Sequence, residues 1–343
     1  MSEADFRAKR RQKFLTEKYF ELNDIDIGCS LANAMTVRDE ERRAGRIEPS
    51  TEGLSFKSHL KLLRLHYTAG QPIESLLPLY AEAVKWFEAW HEAYRAYVAD
   101  IGRERKEDLR EDGSPCQFED LFHFQLAVEL VSVGVLLGDV QQVRRAANCL
   151  GRYRHTDMLF EAIVEPAFDE PSPVDEFFHE SPYDPLLDAI YTAKTPEEKI
   201  AFVKQYLDGW YSAFEGVPWH NGHLVVTDEY SNYEGYWAFE AAAVCLIHGI
   251  DDASFRDHMV YPKDQVDWAR THGSLDKIKA PAGHAEGSAE RLRCEAGRPC
   301  PREGWWSTPA KTDSRQHFKQ GDLMPDMKSD YGQTIWQWDA NQN

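Results

Sequence analysis

The strongest constraint on the fold of this chain is a repeat of apolar residues between Ile73 and Ile101. Apolar side chains recur there at alternating spacings of three and four residues, which is the period of one face of an α-helix. The same spacing runs from Phe56 to Tyr67, and Gly70 to Pro72 supplies a short turn between the two segments. The pattern therefore predicts two long amphipathic helices that pack antiparallel.

Further helices are predicted on both sides of this pair. Residues 118–137 form an apolar stretch that ends at Gly138, and Thr195 to Glu198 read as a capping box that opens another helix. A helix is also predicted from Tyr233 to Gly249, whereas the polar residues 24–53 are expected to be irregular. The expected fold class is all-α, a multi-helix bundle or an array of α-hairpins.

Changes in composition divide the chain into three parts. The charged stretch 103–115 ends in Gly-Ser-Pro and separates an N-terminal helical part, residues 1–112, from a C-terminal helical part, residues 116–271. Residues 272–343 contain four tryptophans among dispersed Gly and Pro residues. We expect an irregular, Trp-rich extension packed on the helical body, in which the alternation of residues 334–338 indicates a short β-hairpin.

The charge balance narrows the classes of partner. The chain has 39 Lys and Arg residues against 58 Asp and Glu residues, a net charge of −19. Such a charge disfavours nucleic acid and anionic membranes and favours a basic protein, although acidity also serves plain solubility. No segment has the apolar length of a signal peptide or a membrane span, so we expect a cytoplasmic protein.

Residue types that carry chemistry are sparse. Cys294 and Cys300 are the only close pair of cysteines, and a disulfide or a plain loop both remain open, since two thiols do not complete a zinc site. His220 and His223, with Asp228 and Glu234 nearby, could serve a metal-dependent hydrolase. However, Asn221 and Gly222 between them are turn residues, so the pair lacks the helical spacing of zinc motifs. We expect no catalytic residues, no metal and no cofactor, and interpret these histidines as loop residues.

A run of carboxylates without any Lys or Arg extends from Glu161 to Asp188. The candidate partner-binding residues in it are eight carboxylates and two neighbouring aromatic residues: Glu161, Glu165, Asp169, Glu170, Asp175, Glu176, Phe177, Phe178, Glu180 and Asp184. Five prolines stiffen the segment. Charges steer an encounter with a basic protein and buried rings hold it, so we expect a docking surface here. A solvated acidic linker is the alternative interpretation.

The sequence around the helix predicted at Tyr233 resembles the PoNi family, the polymorphic nuclease immunity proteins of bacterial toxin systems. Residues 233–244 read Tyr-Glu-Gly-Tyr-Trp-Ala-Phe-Glu-Ala-Ala-Ala-Val, and two further short motifs follow. The resemblance depends on eleven residues: Tyr233, Gly235, Tyr236, Trp237, Phe239, Glu240, Asp251, Asp252, Tyr261, Pro262 and Asp264. It implies a helical, non-catalytic protein that neutralises a nuclease toxin delivered between competing bacteria, such as those that use type VI secretion.

These signature residues are expected to build the fold and not to contact the toxin. In a helix from Tyr233, Trp237 and Glu240 share one neighbourhood with it, so the aromatic rings belong to the core. Glu240 is expected to accept a hydrogen bond from a buried Tyr or Arg. Asp251 and Asp252 are expected to cap the short helix that follows.

Overall fold

The computed structural model divides into two compact units, a helical unit, Met1–Pro281, and a sheet unit, Ala282–Asn343. It describes residues 3–45, 48–105, 113–168, 174–227, 230–272, 293–308, 314–327 and 334–339. The predicted mostly helical fold is confirmed. None of the helices in these ranges is both long and apolar enough to cross a membrane.

The helical unit opens with four helices: α1 (Glu3–Lys9), α2 (Glu17–Arg43), α3 (Ser50–Thr68) and α4 (Leu76–Arg105). The pair α3 and α4 is the predicted amphipathic pair, and its helices pack on each other. The prediction that residues 24–53 are irregular is wrong, because α2 runs through Arg43 and α3 begins at Ser50. A capped surface helix needs only a narrow buried stripe, and α2 buries Asn23, Ile27 and Ala34 alone.

The described part of the unit continues with seven more α-helices: α5 (Leu121–Leu137), α6 (Val140–Cys149), α7 (Met158–Val164), α8 (Glu180–Leu187), α9 (Pro196–Ala213), α10 (Phe239–Ile247) and α11 (Lys263–His272). The central helix is α5, which contacts α4, α6, α7, α10 and α11. Every residue of α5 from Phe124 to Leu137 is buried, so this helix is apolar on all sides.

Side-chain caps set several helix starts where the sequence predicted them. Thr195 accepts a hydrogen bond from the backbone N–H of Glu198, which is the predicted capping box at α9. Asp139 caps α6 in the same way through Gln142. Gly138 closes α5 with φ of 76°, in the left-handed region that glycine adopts without strain.

One predicted helix is shorter than expected. Residues 233–238 are extended and α10 begins only at Phe239, so the helical spacing assumed for Tyr233, Trp237 and Glu240 is wrong. Gly235 has φ of 121°, which does not fit a helix, and side chains from α2, α3 and the turn before α2 bind the backbone of this segment. Tertiary contacts therefore override the local helical pattern here.

The sheet unit contains a four-stranded antiparallel sheet in the order β1-β4-β2-β3. Its strands are β1 (Arg293–Glu295), β2 (Gly304–Ser307), β3 (Gln316–Phe318) and β4 (Ile335–Trp338). Strand β4 is the predicted alternating segment, and the described part of the extension has more strands than the short hairpin that the sequence indicated. The tryptophans explain the difference, because Trp306 and Trp336 are fully buried and give the strands a core of their own with Phe318.

Cys294 and Cys300 belong to the core of the sheet unit and carry free thiols. Burial raises the pKa of both thiols above the ordinary value, which disfavours the reactive thiolate. Of the two possibilities that the sequence left open, the disulfide is not formed, and Cys294 lies on β1 and not in a loop.

Candidate partner-binding site

The first carboxylate of the acidic run is a structural group. Glu161 is only 4% exposed, and it accepts two hydrogen bonds from the Arg154 guanidinium at 2.7 and 3.0 Å and a third from the backbone N–H of His155 at 2.9 Å. A buried carboxylate with this set of donors is already satisfied. Glu161 is therefore unavailable to a partner, and its assignment to the docking surface is wrong.

The paired aromatic residues also face the body of the protein. Phe177 and Phe178 are half-buried and pack against the core of the helical unit. The ring of Phe178 lies edge-on to Phe118, with centroids 5.6 Å apart, and its backbone N–H donates to Asp157 at 3.0 Å. These rings hold the acidic segment onto its own protein and do not stand out as anchors for a partner.

The exposed carboxylates of the segment are Glu165, Glu176, Glu180 and Asp184. Glu180 and Asp184 lie on α8 and Asp188 follows directly after it; we call these three the α8 carboxylate row. Partial burial raises the pKa of Asp184, and the negative charges of Glu180 and Asp188 raise it further. The row thus concentrates negative charges, and a cationic partner would reduce the repulsion between them. Asp175 is half-buried, and Asp169 and Glu170 lie outside the described residues.

The histidine pair is built into an aromatic cluster. The ring of His220 stacks on Tyr211 with centroids 4.4 Å apart. The hydroxyl of Tyr236 accepts the backbone N–H of His223 at 3.1 Å and lies 2.7 Å from its Nδ1 atom. Burial lowers the pKa of His223, with a smaller effect from His220, so the ring favours its neutral form.

These histidines do not assemble a metal site. Glu234, one of the proposed ligands, instead faces Arg64 and Lys61, and Asp228 lies outside the described residues. Across the described ranges no three His, Cys, Asp or Glu side chains are grouped closely enough to hold a metal ion. The geometry of the pair is that of structural loop residues.

The signature residues 231–238 form an extended segment that we call the signature strap. The side-chain amide of Gln12 binds both backbone groups of Tyr236. Its N–H donates to the Tyr236 carbonyl at 2.6 Å, and its oxygen accepts from the Tyr236 backbone N–H at 2.9 Å and from the hydroxyl of Tyr233. Asn23 on α2 donates to the carbonyl of Tyr233 at 3.1 Å. Side chains from α2 and from the turn before it therefore satisfy part of the buried backbone of the strap.

Thr68, at the end of α3, holds the other side of the strap. Its hydroxyl donates to the carbonyl of Glu234 at 2.8 Å and accepts from the indole N–H of Trp237 at 2.8 Å. A Cβ atom on Gly235 would lie 2.0 Å from this hydroxyl oxygen, closer than atoms can approach. Only glycine fits at position 235, both for this contact and for its positive φ.

A buried ionic network ties the strap to the centre of the helical unit. Arg64 on α3 donates to both oxygens of Glu129 on α5 at 2.8 and 2.9 Å and to Glu234 at 2.8 Å. Burial raises the pKa of Glu129, and Arg64 opposes that change. Sequence reasoning missed this network, although a charged residue inside each of two apolar helix faces, Arg64 and Glu129, was the available signal.

Glu240 behaves as the sequence predicted. It is buried at the start of α10, and one of its oxygens accepts from the Tyr206 hydroxyl at 2.6 Å and from the Trp210 indole N–H at 2.8 Å. Burial raises the pKa of Glu240 to about 7, although both hydrogen bonds act to lower it.

The two aspartates of the signature hold the turn after α10. Asp251 accepts from the backbone N–H of Ala253 at 3.0 Å, but residues 253–260 form turns, so the short helix that it was expected to cap is not there. The buried Asp252 accepts from Arg256, Arg270 and the Tyr261 hydroxyl. Each described signature contact therefore supports the fold.

Comparison with known proteins fits this arrangement. Residues 155–265, which include both the acidic segment and the signature, match the family model of PoNe immunity proteins (PoNi), C-terminal. The crystal structure of protein PA2201 from Pseudomonas aeruginosa superposes with a TM-score of 0.60 and 18% identity, covering 76% of this chain and 90% of that chain, a likeness of fold. No curated protein matches. The match supports the resemblance predicted from the sequence: residues 155–265 are similar to the C-terminal region of PoNi immunity proteins.

Proposed function

We propose that this protein is an immunity protein that binds a cognate bacterial nuclease toxin and neutralises it by occlusion, in the cytoplasm of the cell that makes both. The observation that carries the proposal is the match of residues 155–265 to the PoNe immunity proteins. A net charge of −19 supports it, because a nuclease must present a basic groove to the phosphates of its substrate.

The docking surface that we propose is the α8 carboxylate row together with Glu165 and Glu176. These side chains are exposed apart from the half-buried Asp188, and they lie in the matched region. A row of carboxylates offers a basic groove the same sign of charge as a phosphate backbone. Glu161, Phe177 and Phe178 contribute indirectly, because they fix the segment to the helical unit.

No observation on the described residues favours the metal-dependent hydrolase. Such an enzyme needs at least three ligands around an open coordination position. His223 faces Tyr236 and Glu234 pairs with Arg64, so two of the proposed ligands serve other contacts.

Coexpression with the nuclease encoded by the adjacent gene tests the proposal. The wild-type protein should suppress killing and copurify with the nuclease in a stable complex. E180K/D184K, which reverses two exposed charges of the α8 carboxylate row, should weaken the complex by at least about tenfold through like-charge repulsion. The matched variant E21K/E74K makes the same change of net charge at exposed positions elsewhere. Killing in the presence of wild-type protein would contradict the function, and equal loss in both variants would contradict the proposed surface.

A further inference from the structure

A groove of about 280 Å³ opens between α2, the start of α3 and α4, outside the region matched to the PoNi family. Its wall on α4 is formed by alanines at helical spacing, Ala89, Ala93 and Ala96. The charged residues that line it are Arg38, Glu41, Arg42, Glu48, Glu52 and Glu92. Carboxylates thus outnumber guanidinium groups by four to two, and the groove favours a cation.

Glu52 gives this groove an unmet hydrogen-bonding requirement. Its side chain is 4% exposed, and its Oε2 atom has no hydrogen-bond donor among the residues that the structure describes. Among the described residues Arg42 is the cation paired with Glu52, at 3.7 Å from Oε1, which is beyond hydrogen-bonding distance. A buried carboxylate oxygen without a donor is costly, because the group has lost its water. A donor supplied from outside would remove that cost.

The dimensions of the groove select the kind of donor. Pockets for drug-sized ligands usually measure about 300–1,000 Å³, so this groove suits something as small as one side chain. The alanine wall fits an aliphatic stem, and a planar guanidinium offers five donors to several carboxylates at once. Arg38, which also lines the groove, lies over the ring of Trp86 at 4.9 Å, so its guanidinium already has a partner.

We propose that the groove between α2 and α4 is a binding site for one arginine side chain of the bound partner protein, with Glu52 as the buried acceptor. The identification of that partner as the toxin rests on the proposed function. The guanidinium donates to Oε2 of Glu52 and to the exposed carboxylate of Glu92, and its stem lies along Ala89 and Ala93. This site is separate in sequence from the α8 carboxylate row, so the partner is held at two places.

The structure also contains an internal competitor for the site. Arg42 is 63% exposed and needs to move only a short distance to reach Glu52. An incoming guanidinium must displace it or exclude it. Removing Arg42 should therefore strengthen binding of an external cation, whereas a purely structural Glu52 would gain no new ligand from that change.

Calorimetric titration with N-butylguanidinium, a mimic of the arginine side chain, tests the site on the whole protein. Wild type should bind with a Kd on the order of 1 mM. E52Q should weaken binding by at least about tenfold and R42Q should tighten it. A93L fills the groove and leaves Glu52 in place, so it should also abolish binding. The control E82Q changes an α4 carboxylate that pairs with Lys85 outside the groove, and it should bind as wild type does.

The same variants then separate this inference from the proposed function. If wild type binds the nuclease and A93L and E52Q weaken that complex while E82Q does not, the inference is supported. Wild-type affinity of A93L and E52Q for the nuclease, or no binding of N-butylguanidinium to wild-type protein, would overturn it. If wild type fails to bind the nuclease, the proposed function fails, while the titration still reports whether the groove accepts a guanidinium.

Discussion

Glu240 shows how a single residue of the family signature can control stability. Between its ordinary pKa of 4.5 and its folded value of about 7, the folded protein holds a proton that the unfolded chain releases. The free energy of unfolding contributed by Glu240 therefore falls as pH rises through this window, by roughly 3 kcal/mol in total. Below pH 4.5 both states are protonated and the penalty vanishes.

The isosteric variant E240Q tests this dependence, because glutamine stays neutral and keeps an oxygen for Tyr206 and Trp210. Urea unfolding from pH 4.5 to 8 should show E240Q gaining roughly 3 kcal/mol on wild type as pH rises. Parallel pH profiles for the two proteins would show that Glu240 ionises in the folded state as it does in the unfolded chain.

At the residue scale, the sequence predicted the role of a side chain best where burial alone decides its hydrogen-bond partner. Glu240 lies among rings and alanines, so a hydrogen bond from a buried aromatic group was the expected outcome. Glu161 is the opposite case. In the sequence it is one more carboxylate of an acidic run, but in the structure the preceding turn brings Arg154 into contact with it. A charge pattern cannot reveal that pairing, since it depends on the φ of 65° at His155, which bends the chain back.

At the scale of elements, the signature strap explains why a helical pattern does not form a helix. Periodicity predicted α3, α4, α5 and α9 because those helices bury one face or all faces. The strap has its backbone satisfied by Gln12, Asn23 and Thr68, residues more than 160 positions away in sequence. Pairing over such a separation is invisible to local propensity, and only Gly235 hinted at it.

Substitution of Gly235 tests the strap. G235A places a Cβ against Thr68 and forces a positive φ on alanine. Backbone strain alone costs about 1 to 3 kcal/mol, and the contact with Thr68 adds to it, so the total loss of stability should be roughly 3 kcal/mol or more. The matched control is G249A, where φ is +61° but no atom lies within 4 Å of the added Cβ, and about 1 to 2 kcal/mol is expected. Chemical denaturation gives both values, and equal losses would show that contact with Thr68 is unimportant.

At the scale of the whole molecule, the residues that hold the fold together differ from the charged residues proposed to contact the partner. The signature holds the strap, α10 and the following turn, whereas the proposed contacts lie on α8 and in the groove beside α2. Sequence patterns predicted the helical class and the acidic segment. They could not predict the groove, because Glu52 and Ala93 meet only after α3 and α4 pack, and Gly53 permits that packing through its close contact with Trp90.

The acidic surface makes a quantitative prediction about how the complex forms. Exposed charges steer association within a Debye length, about 10 Å at 0.1 M salt and about 3 Å at 1 M. The association rate with the nuclease should therefore fall by at least about tenfold between 0.02 and 0.5 M sodium chloride, with a smaller change in the dissociation rate. Stopped-flow fluorescence of wild type, E180Q/D184Q and E21Q/E74Q separates local from global charge, because both variants lose two exposed carboxylates. If the α8 carboxylate row steers association, the association rate of E180Q/D184Q alone should depend less steeply on salt. Equal slopes of association rate against salt in all three proteins would leave net charge as the sole electrostatic contribution.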